Sequence, residues 1–136
     1  MKERVTLINI EIPNYSEMLS VLEIHKVKSE SGFYFMKDSS EKIVYIGESF
    51  NLRKRLNKHM TGTSKTTKRF CHVFNSIDVF YCGMKERKIY EIYAINLYDP
   101  IGNVDGNESA SKEELIKRRE EWIKISGGSA IPVDLK

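Results

Sequence analysis

Four side chains in the first half of the chain have the types and spacing that phosphate chemistry requires: Tyr34, Tyr45, Arg55 and His59. An arginine presents a forked donor that matches a phosphate group. A phenol or an imidazole can donate, accept or hold a proton. If the four side chains converge, they could bind a phosphate group and act on it. A tyrosine pair by itself is more simply a cross-strand pair that stabilises a sheet.

The two tyrosines fall on two predicted strands of a hairpin. Residues 32–37 and 42–47 are rich in aromatic and β-branched residues, and the polar residues 38–41 between them are typical of a turn. Closure by this turn would place Tyr34 opposite Tyr45, with both side chains on one face. The other face would be apolar and would pair Phe33 with Ile46 and Phe35 with Val44.

A helix is predicted directly after the second strand. Ser49 or Asn51 can cap its start. Apolar side chains at four-residue spacing predict a buried stripe, formed by Leu52, Leu56 and Met60. Arg55 and His59 are also four residues apart, so they would project together from this helix toward the tyrosines.

Residues 85–98 predict a second helix, whose apolar face would consist of Ile89, Ile92, Tyr93 and Leu97. Glu91 lies among these residues. Because burying an unpaired carboxylate is costly, Glu91 has either a function or an exposed position beside Arg87 or Lys88. Asn103 follows Gly102 and could simply be a turn residue.

The remaining segments complete the predicted α+β fold, a small antiparallel sheet of at least three strands flanked by helices. Residues 5–12 alternate as in a strand, and residues 77–82 predict a third strand of the central sheet. Ser16 would cap a short helix with Met18, Leu19 and Leu22 on its apolar side. Ser111 and Glu114 form a capping box that begins a last helix.

The length of 136 residues and the ordinary globular composition indicate one domain. We expect residues 1–31 to be an extension packed on a core of residues 32–104, followed by a helix and tail over residues 105–136. No apolar run approaches the ~20 residues of a membrane span, and no signal peptide is recognised. Cys71 and Cys82 match no metal or redox spacing, which favours buried thiols in a cytoplasmic protein.

Charge is distributed unevenly along the chain. Residues 49–77 contain no aspartate or glutamate, and such a basic segment is typical of a surface that binds a nucleic-acid backbone. The alternative is a solvated basic face balanced by acidic residues elsewhere. The candidate DNA-binding residues are Arg53, Lys54, Lys58, Lys65, Lys68 and Arg69.

Gly32-Phe33-Tyr34 and Tyr45-Ile46-Gly47 together resemble the paired signature of the GIY-YIG nucleases. The helix residues Arg55 and His59, then Glu91 and Asn103, match the later positions of that family in order. The resemblance covers residues 32–103, about half of the chain. Phe33 replaces the isoleucine of the family signature, a difference in packing.

This resemblance implies a metal-dependent endonuclease that cuts DNA, with no small-molecule cofactor and no membrane partner. Glu91 would hold one divalent cation, Mg²⁺ or alternatively Mn²⁺. Tyr34 would be the general base and Tyr45 would orient the water or a phosphate oxygen. Arg55 would bind the scissile phosphate and His59 would protonate, bond or position a phosphate oxygen.

For Asn103 the resemblance leaves both an active-site and a supporting role open. Two alternatives to a nuclease also remain: a degenerate member of the family that binds nucleic acid without cutting it, and a protein-interaction domain. The substrate structure, the biological role and the oligomeric state remain open.

Overall fold

The computed structural model describes residues 10–127, and within them four strands form one antiparallel sheet. The strands are β1 (Glu17–Ser20), β2 (Gly32–Lys37), β3 (Ile43–Ser49) and β4 (Ser76–Tyr81), in the spatial order β1-β4-β2-β3. The helices of this region are α1 (Leu52–Met60), α2 (Glu86–Tyr98) and α3 (Lys112–Ile125). The predicted fold class is confirmed.

Helices cover both faces of the sheet. One buried cluster joins Tyr34 of β2 to Leu56 of α1 and Ile123 of α3, and a second joins Phe33 of β2 to Ile95 of α2. Every residue of β2 is therefore buried, whereas β3 lies at one edge of the sheet. No helix in this part of the chain combines the length and apolarity of a membrane span.

The β2–β3 hairpin differs in register from the prediction. Tyr34 lies opposite Gly47 rather than Tyr45, and Phe35 lies opposite Ile46. The predicted Tyr34–Tyr45, Phe33–Ile46 and Phe35–Val44 pairs are therefore wrong by two residues. Because side chains alternate with a period of two, this shift leaves both tyrosines on one face.

The turn and a β-bulge account for the shifted register. The Asp38 carboxylate accepts hydrogen bonds from the backbone N–H groups of Ser40 and Lys42, and these bonds extend the turn beyond residue 41. The pairing slips after Met36, and Val44 joins the buried cluster on the α1 side of the sheet. The prediction that Val44 shares the opposite face was wrong because a bulge interrupts the alternation.

The N-terminal segment forms a strand where a helix was predicted. Residues 17–20 pair with β4, and the Ser16 N–H donates to the Val79 carbonyl instead of Ser16 capping a helix. The 3₁₀ turn Val21–Lys26 follows, capped by Ser20. The exposed hydrogen-bonding groups of β4 outweigh the weak tendency of so short a segment to form a helix. Of the strand predicted for residues 5–12, residues 5–9 lie outside the described residues. Residues 10–12 are described and have no regular secondary structure.

Helix α2 buries a different face from the predicted one. Ile89, Ile92 and Leu97 are 54%, 47% and 53% exposed, while Ala94 and Ile95 pack against the sheet. Residues 87, 91, 94 and 95 follow helical spacing and share the inward side. Glu91 is consequently half-buried, and of the two alternatives for this residue the exposed position does not hold.

Candidate active site

A buried chain of hydrogen bonds begins at Tyr34. This side chain is fully buried, and its hydroxyl lies 2.5 Å from His59 Nε2. His59 Nδ1 lies 2.6 Å from the hydroxyl of Thr67, which is also fully buried. Burial and the Arg55 charge lower the pKa of His59 to about 3. A neutral imidazole therefore links the two hydroxyls, with one ring nitrogen donating and the other accepting.

Gly47 makes room for the Tyr34 ring. A Cβ atom at position 47 would lie 2.2 Å from the Tyr34 hydroxyl oxygen, closer than two such atoms can approach. Glycine is therefore required opposite Tyr34, which gives a physical reason for the second glycine of the paired tripeptides.

Tyr45 faces an open cleft, unlike Tyr34. It is half-buried and lines a cavity of about 250 Å³ together with Thr66, Glu91 and Asn103. Burial raises the pKa of the Tyr45 hydroxyl, while Thr66 and Arg55 act to lower it. Burial, with Tyr45 as a second contribution, raises the pKa of Tyr34 well above its usual value, and Arg55 opposes this rise only partly.

Arg55 is the cation shared by the two tyrosines. Burial acts to lower the pKa of its guanidinium, but the hydroxyls of Tyr34 and Tyr45 raise it. The Arg55 charge also acts to lower the pKa of Glu91. Helix α1 carries this side chain to the site because Asn51 caps the helix, its side chain accepting from the Lys54 N–H.

Glu91 has an unusual electrostatic environment. Burial and the nearby Glu48 carboxylate raise the pKa of Glu91 to about 7, against the effects of Arg55 and Lys88. Arg87, one turn earlier on α2, donates from Nε to Glu48 at 2.5 Å. Arg87, one of the two predicted partners of an exposed Glu91, thus binds Glu48 instead. No hydrogen bond or ion pair within residues 10–127 holds the Glu91 carboxylate.

Asn103 binds the exposed edge of β3. Its Oδ1 accepts from the Ile46 N–H and its Nδ2 donates to the Ile46 carbonyl, both at 2.8 Å. The Gly102 N–H donates to the Val44 carbonyl beside this pair. The buried Asn103 side chain therefore continues the hydrogen bonding of the sheet and holds the strand that carries Tyr45.

The six predicted DNA-binding residues differ in whether they line a cleft, lie at the surface or make internal contacts. Lys54 and Lys58 line a cleft of about 330 Å³ with Arg55 and Arg87, next to the Tyr45–Glu91 cavity. Lys65 is exposed and Lys68 is half-buried. The other two make internal contacts: Arg53 donates to the His25 carbonyl, and Arg69 binds both Glu120 carboxylate oxygens at 2.6 and 2.8 Å.

Sequence reasoning missed three residues of this site. Thr67 lies between the predicted helix and the next predicted strand, and its hydroxyl hydrogen-bonds to the His59 ring. Glu48 and Arg87 form the ion pair that leaves Glu91 without a partner. The position of Glu48 directly after Gly47 was an available signal, and Arg87 was named only as a possible partner of Glu91. Nothing in the local sequence marks Thr67.

The residues present fit a hard divalent cation that retains most of its water. Within residues 10–127, no three histidine, cysteine, aspartate or glutamate side chains converge as a ligand set. One half-buried carboxylate without a partner, next to the open Tyr45 cavity, is the kind of donor that Mg²⁺ uses together with water and substrate oxygens. Binding a cation would also compensate the charge of Glu91, whose pKa is already raised.

Comparison with known proteins gives consistent matches. The model of the GIY-YIG catalytic domain matches residues 30–104, more than half of the chain. UvrABC system protein C of Mycoplasmopsis agalactiae is 26% identical over 87 residues, which cover 62% of this chain and 15% of that protein. The chain thus matches only a small part of this relative.

Solved structures show the same fold. The N-terminal GIY-YIG endonuclease domain of UvrC from Thermotoga maritima, bound to magnesium as its catalytic divalent cation, matches with a TM-score of 0.55 and 24% identity. The match covers 61% of this chain and 93% of that domain. A tyrosine point mutant of the same domain gives the same TM-score at 23% identity. This chain therefore belongs to the GIY-YIG catalytic domain family.

Proposed function

We propose that this protein is a magnesium-dependent endonuclease that hydrolyses DNA phosphodiester bonds in the cavity lined by Tyr45 and Glu91. The observation that carries this proposal is the Glu91 carboxylate, which shares the cavity with Tyr45 and has no partner within the described residues. The Arg55 charge acts to lower the pKa of both Tyr45 and Glu91. The membership of the GIY-YIG family supports the same reaction.

Hydrolysis of a phosphodiester needs an aimed water molecule, stabilisation of the charge on the phosphate oxygens and a strand held in line. A Mg²⁺ ion held by Glu91 would supply a Lewis acid at the phosphate. Arg55 would donate to the phosphate oxygens, because its guanidinium is permanently charged and forked. Mn²⁺ prefers similar oxygen ligands and would be an alternative cation.

The geometry favours Tyr45 over Tyr34 as the group that contacts the attacking water. A general base must lie within hydrogen-bonding reach of the proton it removes. Tyr45 lines the open cavity, whereas Tyr34 is fully buried and its hydroxyl is bonded to His59. The high pKa of Tyr45 means that a nearby cation must favour its phenolate.

Tyr34, His59 and Asn103 act as positioning residues in this proposal. The Tyr34 hydroxyl interacts with Arg55 and fixes its guanidinium beside Tyr45. His59 and Thr67 hold that hydroxyl from behind. Asn103 holds β3 at Ile46, next to Tyr45. None of these roles requires His59 to touch the phosphate, and its full burial argues against such contact.

Replacement of Glu91 tests the function. Glu91→Gln keeps the shape of the side chain and removes its charge, so we expect loss of Mg²⁺-dependent nicking of supercoiled DNA with little change in DNA affinity. The control is Glu108→Gln, which removes an exposed carboxylate outside the cavity. A Glu91→Gln protein that nicks DNA at the wild-type rate would contradict the proposed metal ligand.

Binding of Mg²⁺ provides a readout that is independent of cleavage. Because the carboxylate must be deprotonated to bind the cation, the affinity for Mg²⁺ should fall about tenfold per pH unit below the Glu91 pKa of about 7. We expect Mg²⁺ to raise the melting temperature of the wild type at pH 8 much more than at pH 5.5. Glu91→Gln should show no such difference between the two pH values.

We also propose a reducing, cytoplasmic location. Cys71 and Cys82 are half-buried free thiols, and burial raises the pKa of both. Thiols with a raised pKa are less reactive and suit a structural role. Fractionation of the source cells with detection of the native protein would test the location.

A further inference from the structure

We propose that Arg119 of α3 binds a phosphate of the same DNA strand, next to the scissile phosphate. This inference rests on the proposed nuclease function and assigns a substrate-binding residue that lies beyond the residues matched by the family model. The matched region ends at residue 104, whereas α3 spans Lys112–Ile125. The C-terminal helix would thus form one wall of the DNA-binding site.

The first observation is the position of Arg119. It lines the Tyr45–Glu91 cavity and also an adjoining cleft of about 440 Å³, whose other lining residues include Lys65 and Arg69. Thr66 and Arg119 are common to both spaces. The two spaces therefore form a continuous groove, and the Lys54–Lys58 cleft shares no lining residue with this groove.

The second observation is the incomplete bonding of Arg119. Its Nε–H is buried and has no hydrogen-bond partner. Its nearest carboxylate is that of Glu120, 3.6 Å from a terminal guanidinium nitrogen and beyond a good hydrogen bond. That same carboxylate is already bound by both terminal nitrogens of Arg69. Within the described residues, Arg119 thus keeps a desolvated donor without an acceptor.

The neighbouring arginine, Arg118, shows that incomplete hydrogen bonding is not general for the arginines of α3. Arg118 donates to both oxygens of Asp99, at 2.9 and 3.3 Å. A buried guanidinium donor without an acceptor is unfavourable in the free protein. The Arg119 side chain as a whole is 24% exposed, so a turn of the guanidinium toward the groove would bring this donor to a phosphate oxygen. Arginine suits this partner because two of its N–H groups can bind one phosphate.

The resulting path for the strand is defined by charge. Lys54 and Lys58 would contact the backbone before it reaches the cavity, Arg55 would bind the scissile phosphate, and Arg119 would hold the strand where it leaves. An anchor on each side of the reacting phosphate keeps the strand in line for displacement. Because Arg119 lines both the Tyr45–Glu91 cavity and the adjoining cleft, it is placed to bind a flanking phosphate.

The test measures DNA affinity without divalent metal as a function of salt. Arg119→Gln should weaken binding about tenfold at low salt and reduce the slope of log affinity against log salt by ~0.9, as expected for one lost phosphate contact. Arg119→Lys keeps the charge and should retain most of the slope. The matched control is Lys117→Gln, which removes one exposed charge from the same helix and should change neither quantity.

Melting temperatures separate a binding role from a structural one. Loss of an unsatisfied buried donor should leave the melting temperature of Arg119→Gln equal to or above that of the wild type. An unchanged salt slope combined with a lower melting temperature would overturn the inference and make Arg119 a structural residue. If Arg119→Gln does not fold, Arg119→Lys decides. Its salt slope should stay near that of the wild type while its affinity falls, and a wild-type affinity would contradict the proposed Nε contact.

The same measurements separate this inference from the proposed function. A wild-type protein that binds DNA but never cuts it with Mg²⁺ or Mn²⁺ would contradict the nuclease while leaving the Arg119 contact testable by the slope. A wild-type protein that cuts DNA, with an Arg119→Gln variant of normal slope, would contradict only the inference. Absence of DNA binding by the wild type would overturn both.

Discussion

At the scale of single residues, Tyr34 and Tyr45 show how the environment divides the roles of two identical side chains. Tyr34 is enclosed by Gly47 and His59 and has no exposed surface. Tyr45 reaches the cavity that contains Glu91. Burial raises the pKa of both hydroxyls despite the neighbouring Arg55, so neither is a phenolate near neutral pH without a further cation.

The first prediction compares the two hydroxyls. Tyr45→Phe should reduce the single-turnover cleavage rate by ~10²-fold or more, the usual effect of losing a general base. Tyr34→Phe should reduce it less, but it leaves His59 without one partner and should lower the free energy of unfolding by ~1–3 kcal/mol. Cleavage kinetics and urea unfolding measure both effects. The reverse order of rate losses would return the role of base to Tyr34.

His59 should make the fold sensitive to mild acid. Its pKa in the folded protein is about 3, below the ordinary value of 6.5. The unfolded chain therefore binds a proton below pH 6.5 that the folded protein excludes, and stability is lost as the pH falls from 6.5 toward 3. The loss should approach ~1.4 kcal/mol per pH unit.

Urea unfolding at pH 7 and pH 5 tests this expectation. The wild type should lose more stability between the two values than His59→Gln, in which this titration is absent. The comparison removes the contribution of groups that titrate in both proteins. Equal losses would mean that His59 is protonated in the folded state.

At the scale of secondary-structure elements, the site depends on how the edge strand β3 is held. Strand β3 pairs with β2 on one side only. On its other side, Asn103 and Gly102 bind the backbone of Ile46 and Val44. This contact protects the open edge of the sheet and fixes Tyr45 between the two bound residues.

Loss of the Asn103 side chain should therefore loosen β3 locally. Asn103→Ala removes two hydrogen bonds from the buried Ile46 backbone, and we expect a loss of ~1–3 kcal/mol in the free energy of unfolding. Hydrogen exchange should accelerate most at the Ile46 amide, while the amides between β2 and β4 remain protected. Uniform acceleration across the sheet would indicate global destabilisation instead of a local role.

At the scale of the whole molecule, basic side chains are concentrated in one cleft although the net charge is only +3. The cleft beside the cavity is lined by Lys54 and Lys58, both exposed. The C-terminal helix neutralises part of the basic segment through the Arg69–Glu120 ion pair. Cations near the cavity should therefore contribute more to DNA binding than the segment as a whole.

Salt-dependent binding tests this distribution. Lys54→Gln combined with Lys58→Gln should weaken binding to all DNA sequences alike and reduce the log–log salt slope by up to ~1.8, or ~0.9 for each lost contact. The matched control is Lys112→Gln combined with Lys117→Gln, which removes two exposed charges from α3. Equal effects of the two pairs would indicate that only net charge matters.

The sequence by itself determined the elements and the identity of the central residues. Local composition predicted the β2–β3 hairpin, the following helix and the strand near residue 77, because turn residues and apolar spacing are local signals. The ordered tyrosines, arginine and glutamate indicated the family, which the comparison confirmed. The roles assigned to the individual residues remain predictions.

Only the tertiary structure decided which side of each element is used. The face of α2 and the hairpin register depend on packing against the phenylalanine face of the sheet and on the Asp38 turn, and neither is visible in local spacing. The burial of Tyr34 follows from its contacts with residues that are distant in sequence, such as His59. The state of Glu91 depends on an ion pair between β3 and α2. Burial and charge compensation arise from such long-range contacts, and they decide what each side chain can do.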